Sequence, residues 1–395
     1  MQPSPAQLDR LARLLDAAVP ASPFLAAKVG GERRFDRLPF TTKAELAADQ
    51  SAHPPYGSNR TRPPDCYTRL HQTSGTSTGT PLRWWDTAES WAACVANWTT
   101  YFGWMGLTAA DRAAFPFSFG PFIGFWAGFE AAVGVGMGVL PGGGMSTVAR
   151  LRWLTDHAAT VVFATPTYAL HLADVATAEG IDLPNSAVRA VVVAGEPGGS
   201  LPGTRDRIAA GWGARVFDHY GLTEVGPAAS ETLDSPATLK VNEEQYIAEV
   251  HDLTGGVGEL VLTTLGRAGS PVVRYRTGDL VRPDWRADGL HLVGGVIGRA
   301  DDMLHVRGNN IYPTAVEAIV RRFDWAGEFR LTADRSGPLT DLRLEVEPTA
   351  AAPPDACDQL ARAIKDGLLL RVPVTAVPPG TLPRPELKAR RLVRV

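Results

Sequence analysis

Cysteine is scarce in this chain: only Cys66, Cys94 and Cys357 occur among 395 residues. Their odd number and wide spacing exclude a disulfide framework and a cysteine metal knuckle, and a reducing compartment, the cytoplasm, is the expectation. An excess of one charge is also lacking. Thirty-nine Lys and Arg against 42 Asp and Glu leave a formal net charge of −3, so nothing in bulk attracts nucleic acid or an anionic membrane. Polar, proline-containing sequence follows Met1, which argues against a signal peptide. The uncharged stretch from Ala113 to Phe129 is broken by Pro116, Gly120, Pro121 and Gly124. That pattern argues for buried helix, strand and loop and against a membrane hairpin. Repeats and low-complexity tracts are absent as well. What is present is a globular composition, 45% hydrophobic and 21% charged, rich in glycine (40) and proline (31). Such a chain folds, turns tightly in many places, and is long enough for two domains.

Leu8, Leu11, Leu14, Leu15 and Ala18 recur at helical spacing, which predicts an amphipathic helix over 6–18. Between Thr160 and Glu224 apolar runs (160–164, 190–193, 214–218) alternate with helical segments (150–157, 168–178). Continuous apolar strands separated by helices predict a parallel sheet covered on both faces. Ligands sit beyond the carboxyl ends of such strands. The polar turns predicted there, Gly195-Glu196-Pro197 and His219-Tyr220-Gly221-Leu222-Thr223-Glu224, are therefore placed to form a site. After about residue 298 the texture changes. A helix over 314–323, a strand through Leu342, Leu344 and Val346, a helix over 357–370 and a strand over 372–377 predict a small α+β unit.

The strongest local signal is Thr73-Ser74-Gly75-Thr76-Ser77-Thr78-Gly79-Thr80-Pro81. Hydroxyls interleaved with glycines make a loop rich in N–H and O–H donors that can wrap a polyphosphate. From composition alone a solvated Ser/Thr loop reads equally well. No Gly-Lys-Ser/Thr follows at Walker A spacing, and Val139 and Pro141 spoil a dinucleotide fingerprint at glycines 134, 136 and 138.

Six further segments follow this loop in order. They are Ala194-Gly195-Glu196-Pro197-Gly198, Tyr220-Gly221-Leu222-Thr223-Glu224, Arg274-Tyr275-Arg276-Thr277-Gly278-Asp279-Leu280, Gly298-Arg299-Ala300-Asp301-Asp302-Met303, Arg307-Gly308-Asn309-Asn310-Ile311-Tyr312-Pro313, and Pro383-Arg384 with Lys388. Leu38-Pro39-Phe40-Thr41-Thr42-Lys43 precedes them. Together they resemble the AMP-forming adenylate-forming enzymes, and within them the phenylacetate–CoA ligase branch, over nearly the whole chain. The resemblance implies an α/β fold: a large adenylation domain, residues 1–299, with mostly parallel sheets covered by helices, and a mobile α+β lid, residues 300–395.

The resemblance also implies a chemistry. A carboxylate is joined to the α-phosphate of ATP, pyrophosphate leaves, and the acyl group passes to an acceptor. Glu224 would hold Mg²⁺, with Thr223 beside the α-phosphate. Asp279 would accept from both ribose hydroxyls, Arg299 would bind ribose or phosphate, and Gly195, Glu196, Pro197 and Tyr220 would line the nucleotide. Thr73, Ser74, Gly75, Thr76, Ser77, Thr78 and Gly79 would enclose pyrophosphate. Lys388 would reach in from the lid, whose hinge would be Asp301. Phe117, Ser118, Phe119, Gly120, Ala194, His219 and Pro227 would line the acyl pocket. The run Phe115 to Phe129 reads by default as core, yet an aromatic wall suits a flat aryl acid.

Three departures stand out. Thr80 replaces a lysine common in the branch, and Leu387 replaces the glycine before the catalytic lysine. Ser230–Tyr246 carries no cysteine or histidine, so no zinc is expected. The reading is an AMP-forming ligase for a small aromatic acid with coenzyme A as the default acceptor, Arg307, Gly308, Asn310 and Tyr312 marking its passage by analogy. The alternatives are an amine, phenol or carrier-protein acceptor, or a nucleotide-binding relative that does not ligate. Neither nucleic acid nor membrane is expected as a partner, and a homodimer is the assembly to test.

Overall fold

The computed structural model describes residues 3–73, 81–306, 309–334, 340–383 and 391–395. A two-stranded ribbon comes first, β1 (Tyr67–Gln72) with β2 (Arg83–Thr87). The main sheet has eleven strands: β3 (Arg112–Phe115), β4 (Gly138–Pro141), β5 (Val161–Ala164), β6 (Ala190–Ala194), β7 (Arg215–Leu222), β8 (Gly226–Thr232), β9 (Ser235–Val241), β10 (Tyr246–Thr254), β11 (Val257–Thr264), β12 (Tyr275–Arg286) and β13 (Gly289–Arg299). Their spatial order is β10-β11-β12-β13-β9-β8-β7-β6-β5-β3-β4.

The α/β class holds, and the sheet divides into two halves. From β4 to β7 every pairing is parallel. From β7 to β10 every pairing is antiparallel. The expected parallel, doubly covered sheet thus describes the first half. Beyond Gly226 several strands follow one another through short turns, with no helix between them to carry a parallel crossover.

Period-two alternation explains how the parallel half is covered. Val162, Ala164, Val191, Val193 and Val216 face the helices Thr147–Asp156, Pro166–Ala178 and Pro202–Trp212. Val161, Phe163, Val192 and Phe217 face the opposite layer, built on Trp98, Tyr101 and Phe102 of the helix Ala88–Met105 and on Ala127 and Ala131 of the helix Trp126–Gly134. The first helix runs from Pro5 to Ala18 and buries Leu11, Leu14, Leu15 and Ala18. Ser4 and Gln7 close its start as a capping box.

After Arg299 the chain leaves this sheet. It forms a hairpin of β14 (Leu304–Val306) with β15 (Asn309–Ile311), then a four-stranded sheet in the order β18 (Val374–Ala376), β17 (Asp341–Pro348), β16 (Ala326–Asp334), β19 (Leu392–Arg394). The helices Pro313–Val320 and Ala356–Leu368 pack on it through Val316, Ile319, Leu360 and Ile364, a hydrophobic core of its own. Among the described residues, no helix is long and apolar enough to cross a membrane.

Candidate active site

Strands β6 and β7 run side by side, with Val193 opposite Asp218 and Ala194 opposite His219. Gly195 follows with φ 96, a left-handed turn that a side chain would strain. The Glu196 carboxylate accepts from the N–H of Thr167 at 2.8 Å. Thr167 lies in the first turn of the helix Pro166–Ala178, where backbone N–H groups lack helical partners and favour an anion. Glu196 therefore caps the start of a helix.

The second predicted turn is a correction. His219–Leu222 belongs to strand β7, which pairs with β8 through His219–Ser230 and Tyr220–Ala229. Glycine and polar residues signalled a turn. The glycine instead permits close strand approach, because a Cβ on Gly221 would meet the Gly226 carbonyl oxygen at 2.7 Å.

Three motifs converge on Asp279, which is buried on β12. The phenol of Tyr220 donates to Oδ2 at 2.7 Å, and Nη1 of Arg299 donates to Oδ1 at 3.0 Å. Asp279 faces Arg299 across the β12–β13 register. Arg299 also donates through Nε to Asp301 at 2.8 Å, so the predicted hinge residue is tied to the same guanidinium. Burial, reinforced by Asp279, pushes the Tyr220 phenol well above its ordinary range, so Tyr220 remains a donor. Burial disfavours the charged Arg299, yet Asp279 and Asp301 outweigh it and hold the guanidinium above its usual value.

Glu224 lies at the β7–β8 turn and is almost fully buried. Its Oε1 accepts from the Tyr275 phenol at 3.1 Å and stands 3.5 Å from Nζ of Lys43. Both contacts fall on Oε1, so Oε2 is the oxygen that would hold a cation without displacing either. One carboxylate, completed by phosphate oxygens and water, suits Mg²⁺. Lys43 was legible only as part of an entry segment. It reaches Glu224 because Thr41 pairs with Tyr275 as an extra backbone bridge, with Thr41 N–H donating to Arg274 O at 3.0 Å and Arg276 N–H donating to Thr41 O at 2.8 Å.

Sequence reasoning also missed Arg267 and Asp86. They form a fully buried bidentate pair with distances of 2.9 and 2.5 Å, and Nη1 of Arg267 donates to the Thr223 carbonyl at 2.8 Å. This pair fixes the backbone that carries Thr223 and Glu224. No local motif marks it, because 181 residues separate the partners.

The aromatic stretch divides. Phe115 stacks on Phe163 at 4.5 Å with 5° between the rings, and both are fully buried. These are core, as the default reading holds. Phe117 and Phe119 are half-buried against the same cluster. Ser118 is exposed and accepts from Gly144 N–H at 3.1 Å, while the Gly120 carbonyl takes the Trp126 indole N–H at 2.9 Å. Pro227 is buried and its carbonyl accepts from Asn97, Tyr101 and Tyr246. His219 packs its ring 4.0 Å from that of Trp98. Burial lowers its pKa to about 3, and Nδ1 is sealed without a partner.

Thr73 is buried, its N–H donating to Leu82 O at 2.9 Å and its hydroxyl accepting from Leu82 N–H at 2.9 Å. Ser74, Gly75, Thr76, Ser77, Thr78, Gly79, Thr80, Arg307, Gly308, Leu387 and Lys388 lie outside the described residues.

The AMP-binding enzyme family matches residues 17–262, and the AMP-binding enzyme C-terminal domain matches residues 308–394. The chain is 32% identical over 328 residues to the phenylacetate-coenzyme A ligase of Pseudomonas putida, covering 79% of this chain and 72% of that one. It is 30% identical over 378 residues to the Escherichia coli K12 phenylacetate-coenzyme A ligase, covering 90% and 84%. A solved 2-hydroxyisobutyryl-CoA ligase in the postadenylation state, in complex with 2-HIB-AMP, superposes with TM-score 0.92 at 28% identity, over 99% of this chain and 89% of that one. The same ligase in the thioesterfication state superposes with TM-score 0.72 at 27% identity, over 98% and 89%. The chain as a whole is thus more similar in arrangement to that ligase's postadenylation structure than to its thioesterfication structure.

Proposed function

This chain belongs to the AMP-binding enzyme family and is an AMP-forming ligase, and from that premise we propose that it adenylates an aromatic carboxylic acid and passes the acyl group to coenzyme A. The carboxylate oxygen attacks the α-phosphorus of ATP, the bond to the bridging oxygen breaks, and pyrophosphate leaves. The thiol sulfur then attacks the acyl carbonyl, loses its proton, and AMP leaves. Bringing two anions together calls for fixed donors where charge accumulates.

The observation that carries this reading is the convergence on Asp279 and Glu224. Asp279, oriented by Tyr220 and Arg299, is the ribose acceptor, since a carboxylate has room for several donors. Thr223 and Glu224, braced by the Arg267–Asp86 pair, face the phosphates. Mg²⁺ held on Glu224 would neutralise phosphate charge. Lys43 adds a fixed cation beside that carboxylate, in a chain that has Thr80 where relatives carry lysine. Glu196, Gly195 and Pro197 line the adenine, and Thr73 leads into residues 74–79, which would enclose pyrophosphate. Lys388 would bridge carboxylate and phosphate as a point charge on a long stem. Residues 1–299 form the adenylation domain, and 300–395 form the lid that turns at Asp301.

Phe117, Ser118, Phe119, Gly120, Ala194, His219 and Pro227 supply the acyl pocket, whose aromatic content favours a flat acid. A short branched hydroxy acid is the second reading, favoured by the likeness to the 2-hydroxyisobutyryl-CoA ligase. A cytoplasmic location is the expectation from the three scattered cysteines, and a homodimer is to be tested by light scattering. The functional test is acid-dependent exchange of labelled pyrophosphate into ATP across aryl, arylacetic and hydroxy acids. Exchange with an aryl acid supports the reading, and exchange with aliphatic hydroxy acids alone overturns the aromatic assignment.

A further inference from the structure

Arg391 opens the last described segment, directly before strand β19, and its guanidinium is nearly buried. Its Nε donates to Glu328 Oε1 at 2.6 Å, its Nη1 donates to Glu317 Oε1 at 2.8 Å, and its Nη2 meets Glu328 Oε2 at 3.2 Å. Both carboxylates belong to the small C-terminal unit, Glu317 on the helix Pro313–Val320 and Glu328 on β16. The face of the guanidinium covers Phe329 at 5.0 Å. Two carboxylates and a ring thus fix the fork before it meets the large domain.

What the fork presents across the boundary is Nη2, which donates to the Thr167 hydroxyl at 3.1 Å. Thr167 is the residue whose N–H caps Glu196. One residue of the large domain therefore accepts from the lid through its side chain and donates to the adenine-side carboxylate through its backbone. Burial works against the charged Arg391, but Glu317, Glu328 and Glu196 together raise it above its usual value. Nearby contacts follow the same seam. Arg207 donates to Ala326 O at 3.1 Å, and Gly203 lies so close to the Arg321 carbonyl that a Cβ would stand 2.6 Å from its oxygen.

We infer that Arg391 is a positioning residue which, through Thr167, latches the C-terminal domain in the adenylation orientation and couples that orientation to the adenine segment at Glu196. Arg391 stands three positions after Lys388 in the sequence. In the acyl-transfer orientation the lid turns away and the Arg391–Thr167 contact is broken. The inference rests on the two-step reading above, and it assigns the latch to one step only.

Thr167→Val tests it while leaving the Arg391, Glu317 and Glu328 trio intact. Losing a hydrogen bond to a charged group shifts an equilibrium by about tenfold or more. Acid-dependent pyrophosphate exchange should fall by about tenfold, and thioester formation from supplied acyl adenylate and coenzyme A should keep its rate. Thr167→Ser keeps the acceptor and should behave as the parent. Domain orientation is read separately, without turnover, by single-molecule energy transfer. Dyes go on exposed Cys66 and on Leu369→Cys, with Cys357→Ser removing a competing thiol. The ratio of the closed orientation to the others should fall by about tenfold in Thr167→Val. An unchanged ratio, or equal slowing of both half-reactions, overturns the latch. The energy-transfer ratio decides the latch even where no acid supports exchange, a result that would count against the proposed function instead.

Discussion

The phenol of Tyr220 donates to Oδ2 of Asp279 over 2.7 Å, joining the end of strand β7 to strand β12 across 59 residues of chain. Arg299 holds the other oxygen, so the carboxylate has one orientation before any nucleotide arrives. Asp279→Ala should weaken ATP binding by at least about tenfold in isothermal titration, the order expected for hydrogen bonds to a charged acceptor. Tyr220→Phe, which loosens the carboxylate without removing it, should cost less. An unchanged affinity in Asp279→Ala removes the ribose assignment.

Lys43 and Glu224 make opposite predictions for Mg²⁺. The ammonium stands 3.5 Å from Oε1 and repels a second cation at the same carboxylate. Lys43→Ala should lower the Mg²⁺ concentration for half-maximal pyrophosphate exchange by about tenfold, while lowering the maximal rate. Glu224→Gln should raise that concentration. Shifts of the same sign would show that the two side chains do not share a cation site.

Arg267 and Asp86 matter to stability before chemistry. Arg267→Met leaves Asp86 as a buried, uncompensated carboxylate and should destabilise the large domain by about 3–5 kcal/mol. Adding Asp86→Leu should recover most of this, because two apolar groups replace the pair. Urea unfolding followed by tryptophan fluorescence measures both. A double variant as unstable as the single one contradicts the account.

Two neighbours on β7 titrate with opposite signs. Burial lowers His219 to about 3, so below about pH 6.5 the unfolded chain takes a proton that the folded chain refuses, and stability falls as the pH drops. Asp218 is raised to about 7, chiefly by burial. Between pH 7 and 4 its folded form holds a proton that the unfolded form does not, so stability rises as the pH drops. Between about pH 6.5 and 4, relative to the parent, His219→Gln should gain on the order of 1 kcal/mol for each unit of acidification, and Asp218→Asn should lose as much. Chemical unfolding at a series of pH values reads both slopes. Equal slopes in both variants would contradict the burial argument.

Much of this arrangement was legible in the sequence. The runs at 160–164 and 190–193 announce buried parallel strands because both faces of each strand are covered, and the strands found are Val161–Ala164 and Ala190–Ala194. The motifs place Asp279, Arg299, Tyr220 and Glu224 in one family pattern. What was not legible depends on pairing between distant segments. Lys43 meets Glu224 only after Thr41 bridges to Tyr275, and no local periodicity encodes that. His219–Leu222 read as a turn because polar residues and Gly221 are turn formers, whereas strand β8 captures the segment. The antiparallel half shows the same limit, since polar residues such as Thr263, Glu259 and His291 are buried there among the apolar ones.

The measurement that bears most directly on the central claim is mass-spectrometric product analysis with ATP, Mg²⁺ and substituted benzoic and arylacetic acids, each with and without coenzyme A. AMP and an aryl-CoA thioester in equal amounts, the thioester only with coenzyme A present, is the predicted result. AMP with an aryl adenylate but no thioester would contradict coenzyme A as acceptor. No acid-dependent AMP from any member of the panel would contradict aryl adenylation itself.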